Sequence, residues 1–295
     1  MASYESLPTI QTALKVVGSE HLVASKDATV PSLDRSELLV RVECASINQV
    51  DSNDVDADQW NIGDRVMGGI FGKNPLRKDN GAFAEYAAIP ARLAWKIPAG
   101  MEFTTVASLP AALATVGLSL FQYMHIAMPD AAGPLQLDLG NGENPTYVLV
   151  YGGGTATGAM ALHVLKLLGY TPITTCSAAS VARSLELGAA ATFDYRSPNC
   201  GTDILTYTAG ALRLTLDCIS DSDSLGTCYK ALGPAGGRYV ALDPFPSRGH
   251  TRRSVEPDWV CCYTQFGHDV AWAPPFDLEA RIDDRICAEA WYVLA

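Results

Sequence analysis

Positive charge is scarce in this 295-residue chain. Its 21 lysines and arginines stand against 32 aspartates and glutamates, a net charge of −11 with histidine neutral. No stretch gathers basic residues into a face, which argues against nucleic acid as a partner. Arg248, Arg252 and Arg253 are the densest basic group, and a solvated loop accounts for them. A secretory leader is not expected either, because the opening residues 1–8 have neither a basic n-region nor an apolar h-region. Long clean apolar runs are also lacking. Residues 108–128 are almost uncharged, but Pro110, Thr115, Gln122 and His125 interrupt them, so a buried helix is expected rather than a membrane span. Cysteine spacing is irregular. The adjacent Cys261 and Cys262 cannot form a CxxC knuckle, and reduced thiols in a cytoplasmic protein are the plain expectation for all eight.

What is present is an ordinary globular composition, 48% apolar and 18% charged, in a chain long enough for two cores. The organising stretch is residues 146–158. Val148, Leu149, Val150 and Tyr151 read as a strand buried on both faces. Gly152, Gly153 and Gly154 allow a tight turn, after which Met160, Ala161, Val164, Leu165 and Leu168 recur at helical spacing up to Gly169. Strand, glycine turn and helix form the context of a phosphate-binding fingerprint, with the hydroxyls of Thr155 and Thr157 at the helix start.

The units after it alternate. Strands are expected at residues 171–176, 190–193, 212–218 and 238–242, and helices at 178–187, 202–208 and 222–232. That order gives a doubly wound parallel sheet. Before it, residues 13–17, 38–45, 62–68 and 81–87 read as strands of a β-rich, barrel-like domain, followed by a helical stretch from Thr104 to about Met128. Beyond Arg248 the pattern decays into aromatic and Pro-rich loops, ending in a helix-like stretch at residues 278–294. The domain boundary is placed at the Pro-, Gly- and Asn-rich residues 129–145, giving domains 1–135 and 136–295.

In the NAD form of such a sheet, an acid about 20 residues past the glycines binds the ribose 2′-hydroxyl. No acid occurs between Gly169 and Leu185. Ser177, Ser180 and Arg183 stand there instead, with Tyr195 and Arg196 past the next strand. Hydroxyls and a guanidinium suit a 2′-phosphate, which favours NADPH. The plainer account is that Ser177 caps a helix and the arginines are solvated. At the far end, Asp217 with Cys218 and Leu242 with Asp243 end two strands, where ligands of these sheets bind, although Asp243 also suits a simple turn.

Together these residues resemble the medium-chain dehydrogenase/reductase superfamily, a GroES-like barrel followed by a Rossmann domain. Ala45-Ser46-Ile47-Asn48, Gly63-Asp64-Arg65-Val66, residues 81–86 and Leu109-Pro110-Ala111 fall in family order. Residues 147–153, 155–157, 191–199, 216–219 and 239–246, with Phe266-Gly267 and Trp272-Ala273-Pro274, are most similar to trans-acting enoyl reductases that serve fungal polyketide synthases. The resemblance implies NADPH and reduction of an α,β-unsaturated thioester carried by the synthase. It implies cofactor contacts at Val50, Asp51, Ser52, Asn53, Gly152, Gly153, Gly154, Thr155, Ala156 and Thr157. It extends them to Ser177, Ala178, Ala179, Ser180, Tyr195, Leu242 and Asp243. The acyl pocket would be lined by Ala114, Thr115, Val116, Gly117, Leu118, Ser119, Leu120 and Phe121, and by Thr264, Gln265, Phe266, Gly267 and His268.

Thr115 is the candidate nearest the chemistry, although a threonine inside a helix is commonly structural. The zinc branch is set aside, because Cys44 stands alone in the barrel half and residues 45–100 contain no cysteine. Against the family pattern, the segment between Asn48 and Ile62 is short and has no lysine, and the chain ends at Ala295 before the closing strands. An incomplete barrel is therefore expected. Two alternatives stay open: a relative that binds nucleotide or synthase without turnover, and a stand-alone quinone or alkenal reductase.

Overall fold

The structure is a computed structural model that describes residues 8–17, 21–34, 36–45, 60–61, 63–130 and 145–294. The chain divides into two compact units. One comprises residues up to Ala111 together with Tyr263–Val293, and the other Ala112–Cys262.

The first unit is built from short antiparallel pairs. Strands β1 (Ile10–Val17) and β2 (His21–Thr29) pair as a hairpin. Strand β3 (Glu37–Arg41) pairs with β5 (Tyr86–Pro90), and β4 (Val66–Gly68) with β6 (Ala94–Lys96). The β2 strand was not expected from sequence. It is largely exposed, so pairing with β1 rather than a buried face holds it, and no alternation marks it. Asn80 extends the sheet with its side chain, donating to the Ala88 carbonyl (2.9 Å) and accepting its amide (3.0 Å). A short helix, α1 (Phe103–Val106), leads toward the second unit.

Helix α2 (Pro110–Gly117) continues as a wider π-helical turn, Leu118–Tyr123, with the Met124 amide donating to the Ser119 carbonyl at 2.8 Å. His125, in the left-handed region at φ 56°, ends it, short of the expected Met128. Phe103–Tyr123 is long and apolar enough to cross a membrane by composition, yet half of its most apolar window is buried within the protein. A core helix of this length passes the same test.

The second unit is a six-stranded parallel sheet. In chain order its elements are β7 (Tyr147–Tyr151), α3 (Ala156–Leu167), β8 (Thr171–Thr175), α4 (Val181–Glu186), β9 (Ala191–Phe193) and α5 (Cys200–Tyr207). Then come β10 (Leu214–Asp217), α6 (Ser222–Ala231), β11 (Gly237–Ala241) and β12 (Val255–Trp259). The spatial order is β12-β11-β10-β7-β8-β9. The chain winds outward from β7 through β8 to β9, then crosses back to β10 on the other side of β7, so the topological switch lies between β7 and β10. Leu149, Ile173, Ile204, Leu212, Leu225 and Tyr239 fill the core against the sheet.

Strand β12 replaces the loop expected beyond Arg248. Its sequence, Val-Glu-Pro-Asp-Trp, carries a proline and two acids that read as strand breakers. At a sheet edge only one side of the backbone is paired, and both are tolerated there.

After Cys262 the chain returns to the first unit through β13 (Val270–Ala271), β14 (Asp277–Leu278) and α7 (Ile282–Leu294). Trp95 stacks on Tyr292 with ring centroids 3.7 Å apart, and Arg92 pairs with Glu289 at 2.7 Å. The first unit thus joins residues from both ends of the chain.

Candidate functional site

The glycine turn sits at the carboxyl end of β7, beside the switch point. Gly153 cannot carry a side chain, because a Cβ would lie 2.3 Å from Thr174 Oγ1. Gly158, one turn into α3, is equally constrained: a Cβ there would lie 2.3 Å from the Gly152 carbonyl oxygen, so the helix rests directly on the turn. Thr155 caps α3, its Oγ1 accepting the Gly158 amide at 3.0 Å. Its hydroxyl donates to the Gly152 carbonyl at 2.9 Å, closing the turn on itself. The first-turn amides of Ala156 and Thr157 have no intrahelical acceptor, which makes this end an anion site in a parallel sheet.

Two residues that the sequence reading passed over hold the turn from β8. Thr174 and Thr175 are fully buried. Thr174 Oγ1 accepts the Gly153 amide (3.0 Å) and donates to the Val150 carbonyl (2.6 Å), while Thr175 Oγ1 accepts the Gly152 amide (3.1 Å). Two consecutive threonines where a sheet core would take valine were the available signal.

The expected 2′-phosphate side is partly assembled. Ser180 reaches the turn, its Oγ standing 2.7 Å from where a Cβ of Gly154 would be. Ser177 occupies the position before a 3-10 turn (Ala178–Ser180), yet its hydroxyl makes no capping bond. The plainer account of Ser177 as a cap is not realised, and the hydroxyl is half-buried at the end of β8. Ala178, Ala179 and Arg183 are exposed. Tyr195 is exposed too, with the Arg196 guanidinium 5.0 Å from its ring centre. Among the described residues from Gly169 to Leu185 no acid occurs, so nothing there repels a phosphate. The cradle, the capped helix and the hydroxyls fit a phosphorylated dinucleotide.

Across the switch point, Asp217 ends β10 and is fully buried. Its Oδ1 accepts the amides of Ile219 and Ser220, both at 3.0 Å, and its Oδ2 accepts the hydroxyls of Ser224 (2.6 Å) and Tyr239 (2.7 Å). Burial pushes the carboxyl above its ordinary range, and these four bonds pull it back. Ser220, at φ 66°, accepts the Leu242 amide on Oγ at 3.0 Å, which fixes the start of the loop after β11. Asp243 is exposed beside it. Cys218, whose thiol burial pushes up to about 12, borders the glycine turn. Such a thiol stays protonated and unreactive.

The expected pocket residues divide between the units. Thr115 is half-buried, whereas Ala114 and residues 116–121 are buried. The Ser119 hydroxyl donates to the Thr115 carbonyl at 2.6 Å. In the first unit Thr264 bonds to Asp284, and Gln265 accepts from the Tyr292 hydroxyl at 3.3 Å. Phe266 is buried, Gly267 takes φ 70°, and His268 is exposed. Val50, Asp51, Ser52 and Asn53 lie outside the described residues. Among the described residues no three His, Cys, Asp or Glu side chains gather as a metal site.

A cavity of about 440 Å³ lies between α6 and residues 246–251. Arg252 on its wall is no solvated loop residue. It closes the end of α6, donating to the carbonyls of Tyr229 (2.7 Å), Leu232 (3.0 Å) and Gly233 (2.6 Å).

No protein-family model matches the chain. Its sequence is 52% identical to the trans-enoyl reductase iccB of Talaromyces variabilis, over 98% of this chain and 85% of that protein. It is 53% identical to the trans-enoyl reductase iliB of Neonectria sp. (strain DH2), over 100% of this chain and 87% of that protein. The second alignment runs over 331 positions, more than this chain contains, so the relative has internal residues without a counterpart here. The fold is similar to that of CurK enoyl reductase, with TM-score 0.65 and 15% identity over 96% of this chain and 97% of that one. It is also similar to a mycobacterial protein solved in complex with NADPH, with TM-score 0.61 and 19% identity over 87% and 83%. At this identity and coverage of its curated relatives, the chain belongs to the trans-enoyl reductases, on the medium-chain dehydrogenase/reductase fold.

Proposed function

We propose that this chain is an NADPH-dependent enoyl reductase that acts in trans on a polyketide synthase in secondary metabolism. It would saturate the double bond of an α,β-unsaturated acyl thioester held on the synthase's carrier protein. The observation that carries the cofactor is the glycine turn on α3, flanked by Ser177 and Ser180 with no acid after β8. The relatives named above carry the reaction class.

NADPH, when bound, supplies a hydride for the β-carbon of the enoyl group, and the α-carbon takes a proton. This chain's own residues orient and shield. The amides of Ala156 and Thr157 would take the pyrophosphate, and Ser177, Ser180 and Tyr195 the 2′-phosphate side. Gly152, Gly153, Gly154 and Thr155 would form the close backbone approach, and Leu242 and Asp243 the nicotinamide side. Thr115 is the half-buried hydroxyl in an otherwise buried stretch, which supports it as a donor to the oxygen of the developing enolate. Residues 114–121 and residues 264–268 are each proposed to contact the acyl chain, and Val50 to Asn53 the cofactor. The proposed compartment is the cytoplasm.

A second reading, nucleotide or synthase binding without turnover, is favoured by the internal residues of the relative that this chain lacks. Titration with NADPH and NADH, read by reduced-nicotinamide fluorescence, tests the cofactor assignment. NADPH is expected to bind the more tightly by roughly tenfold or more, the scale of a charge-assisted hydrogen bond to phosphate. Equal dissociation constants would refute it.

A further inference from the structure

The crevice holds a charge that the proposed function does not use. Asp217 is fully buried, and its register partner across β10 and β7 is Tyr151, the residue before the glycine turn. Both carboxylate oxygens are saturated, each accepting two hydrogen bonds, from Ile219, Ser220, Ser224 and Tyr239. With the two hydroxyls turned as donors, all four hydrogen bonds serve the ionised carboxylate. Every donor is neutral. Among the described residues no lysine or arginine pairs with this carboxylate.

Its position in the sheet gives the charge a direction. The serines of the phosphate side stand at the end of β8, and the pyrophosphate cradle at β7 and α3. A dinucleotide laid across the switch point therefore brings its other half over the carboxyl ends of β10 and β11. Asp217 lies under that half, and through Ser220 it also fixes the Leu242 amide. Oxidised and reduced nicotinamide rings differ by one positive charge. A buried anion in a medium of low dielectric discriminates between them, and neutral donors weaken its field without cancelling it.

We propose that Asp217 is an uncompensated buried anion that biases the nicotinamide half-site toward the oxidised, positively charged ring, and so favours hydride donation from the reduced cofactor. The inference rests on the NADP(H) reading of the crevice.

Asp217→Asn removes the charge and nearly preserves the shape. The amide oxygen still accepts from Ile219 and Ser220, and the amide nitrogen donates to the Ser224 and Tyr239 hydroxyls once these rotate. The experiment is calorimetric titration of NADP+ and of NADPH into the wild-type chain, Asp217→Asn and Tyr239→Phe. In Asp217→Asn the NADP+ dissociation constant is expected to rise about five- to twentyfold relative to that of NADPH. Tyr239→Phe keeps the charge and loses one donor, so its NADP+ to NADPH affinity ratio should stay at or above the wild-type value. Equal losses for both cofactors in Asp217→Asn would show a structural role only and overturn the proposal. A fall of the ratio in Tyr239→Phe would overturn it even if the asparagine variant does not fold. If neither cofactor binds the wild-type chain, the NADP(H) reading itself fails. If both bind and only the ratio is insensitive to charge, that reading stands and this inference falls.

Discussion

Gly158→Ala tests the close rest of α3 on the glycine turn. The added methyl would stand 2.3 Å from the Gly152 oxygen, 2.9 Å from the Gly152 carbonyl carbon and 3.0 Å from the Gly153 Cα. All three are backbone atoms of the glycine turn, so no side chain can swing aside. Either α3 lifts or the turn deforms. Overpacking of this kind costs about 1–3 kcal/mol, set against a gain of up to about 1 kcal/mol from replacing glycine by alanine in a helix. Gly226 in α6 supplies the control, because a Cβ there meets nothing within 4 Å. Gly226→Ala should therefore stabilise by up to about 1 kcal/mol, the helix-propensity gain alone. Urea unfolding of both variants, with NADPH titration of each, separates the two effects. Gly158→Ala should lower the midpoint and weaken NADPH by at least about tenfold, since a shift of the cradle removes charge-assisted bonds to phosphate. If Gly158→Ala unfolds at the wild-type midpoint and binds NADPH unchanged, the close rest of α3 on the turn is wrong, and with it the cradle.

Three further outcomes are expected. Ser177→Asp places an acid at the end of β8 beside the 2′-phosphate side, so NADPH should weaken by about tenfold relative to NADH in the same fluorescence titration; unchanged preference would refute the assignment. Arg252→Lys cannot reach three carbonyls at the end of α6, so stability should fall by about 1–3 kcal/mol in urea unfolding with the NADPH dissociation constant unaltered. Burial raises the Asp217 carboxyl above its unfolded value, so its favourable contribution is full at low pH and is lost as pH rises through the folded value. The melting temperature of the wild type, relative to Asp217→Asn, should accordingly rise as pH falls toward the ordinary carboxylate range at about 4, and a constant difference would count against the burial.

The parallel sheet was legible because its strands are short apolar runs separated by amphipathic helices that stop at glycine. Thr171–Thr175 begins where the pattern places it, and Tyr147–Tyr151 one residue ahead of the expected Val148. The edge strand Val255–Trp259 was not legible, since Pro257 and its flanking acids are permitted by one-sided pairing that no local pattern reports. At the site, the glycines announced themselves by composition. Thr174 and Thr175 did not, because a buried threonine in a strand looks like any β-branched residue until its hydroxyl partner is known. Arg252 was read as solvated for the same reason: a basic residue in a loop gives no sign of the helix end it closes. Ser177 lacks the capping bond that its position suggested, which left its hydroxyl for another partner.

Turnover with labelled cofactor tests enoyl reduction by this chain directly. The purified chain is incubated with NADPH deuterated on the hydride face and an α,β-unsaturated acyl thioester of pantetheine or of a carrier protein. NADPH oxidation and a saturated thioester bearing deuterium on the β-carbon are expected, with no comparable rate from NADH. Tight NADPH binding without any saturated product, from either thioester, would contradict it and leave the chain a binding protein.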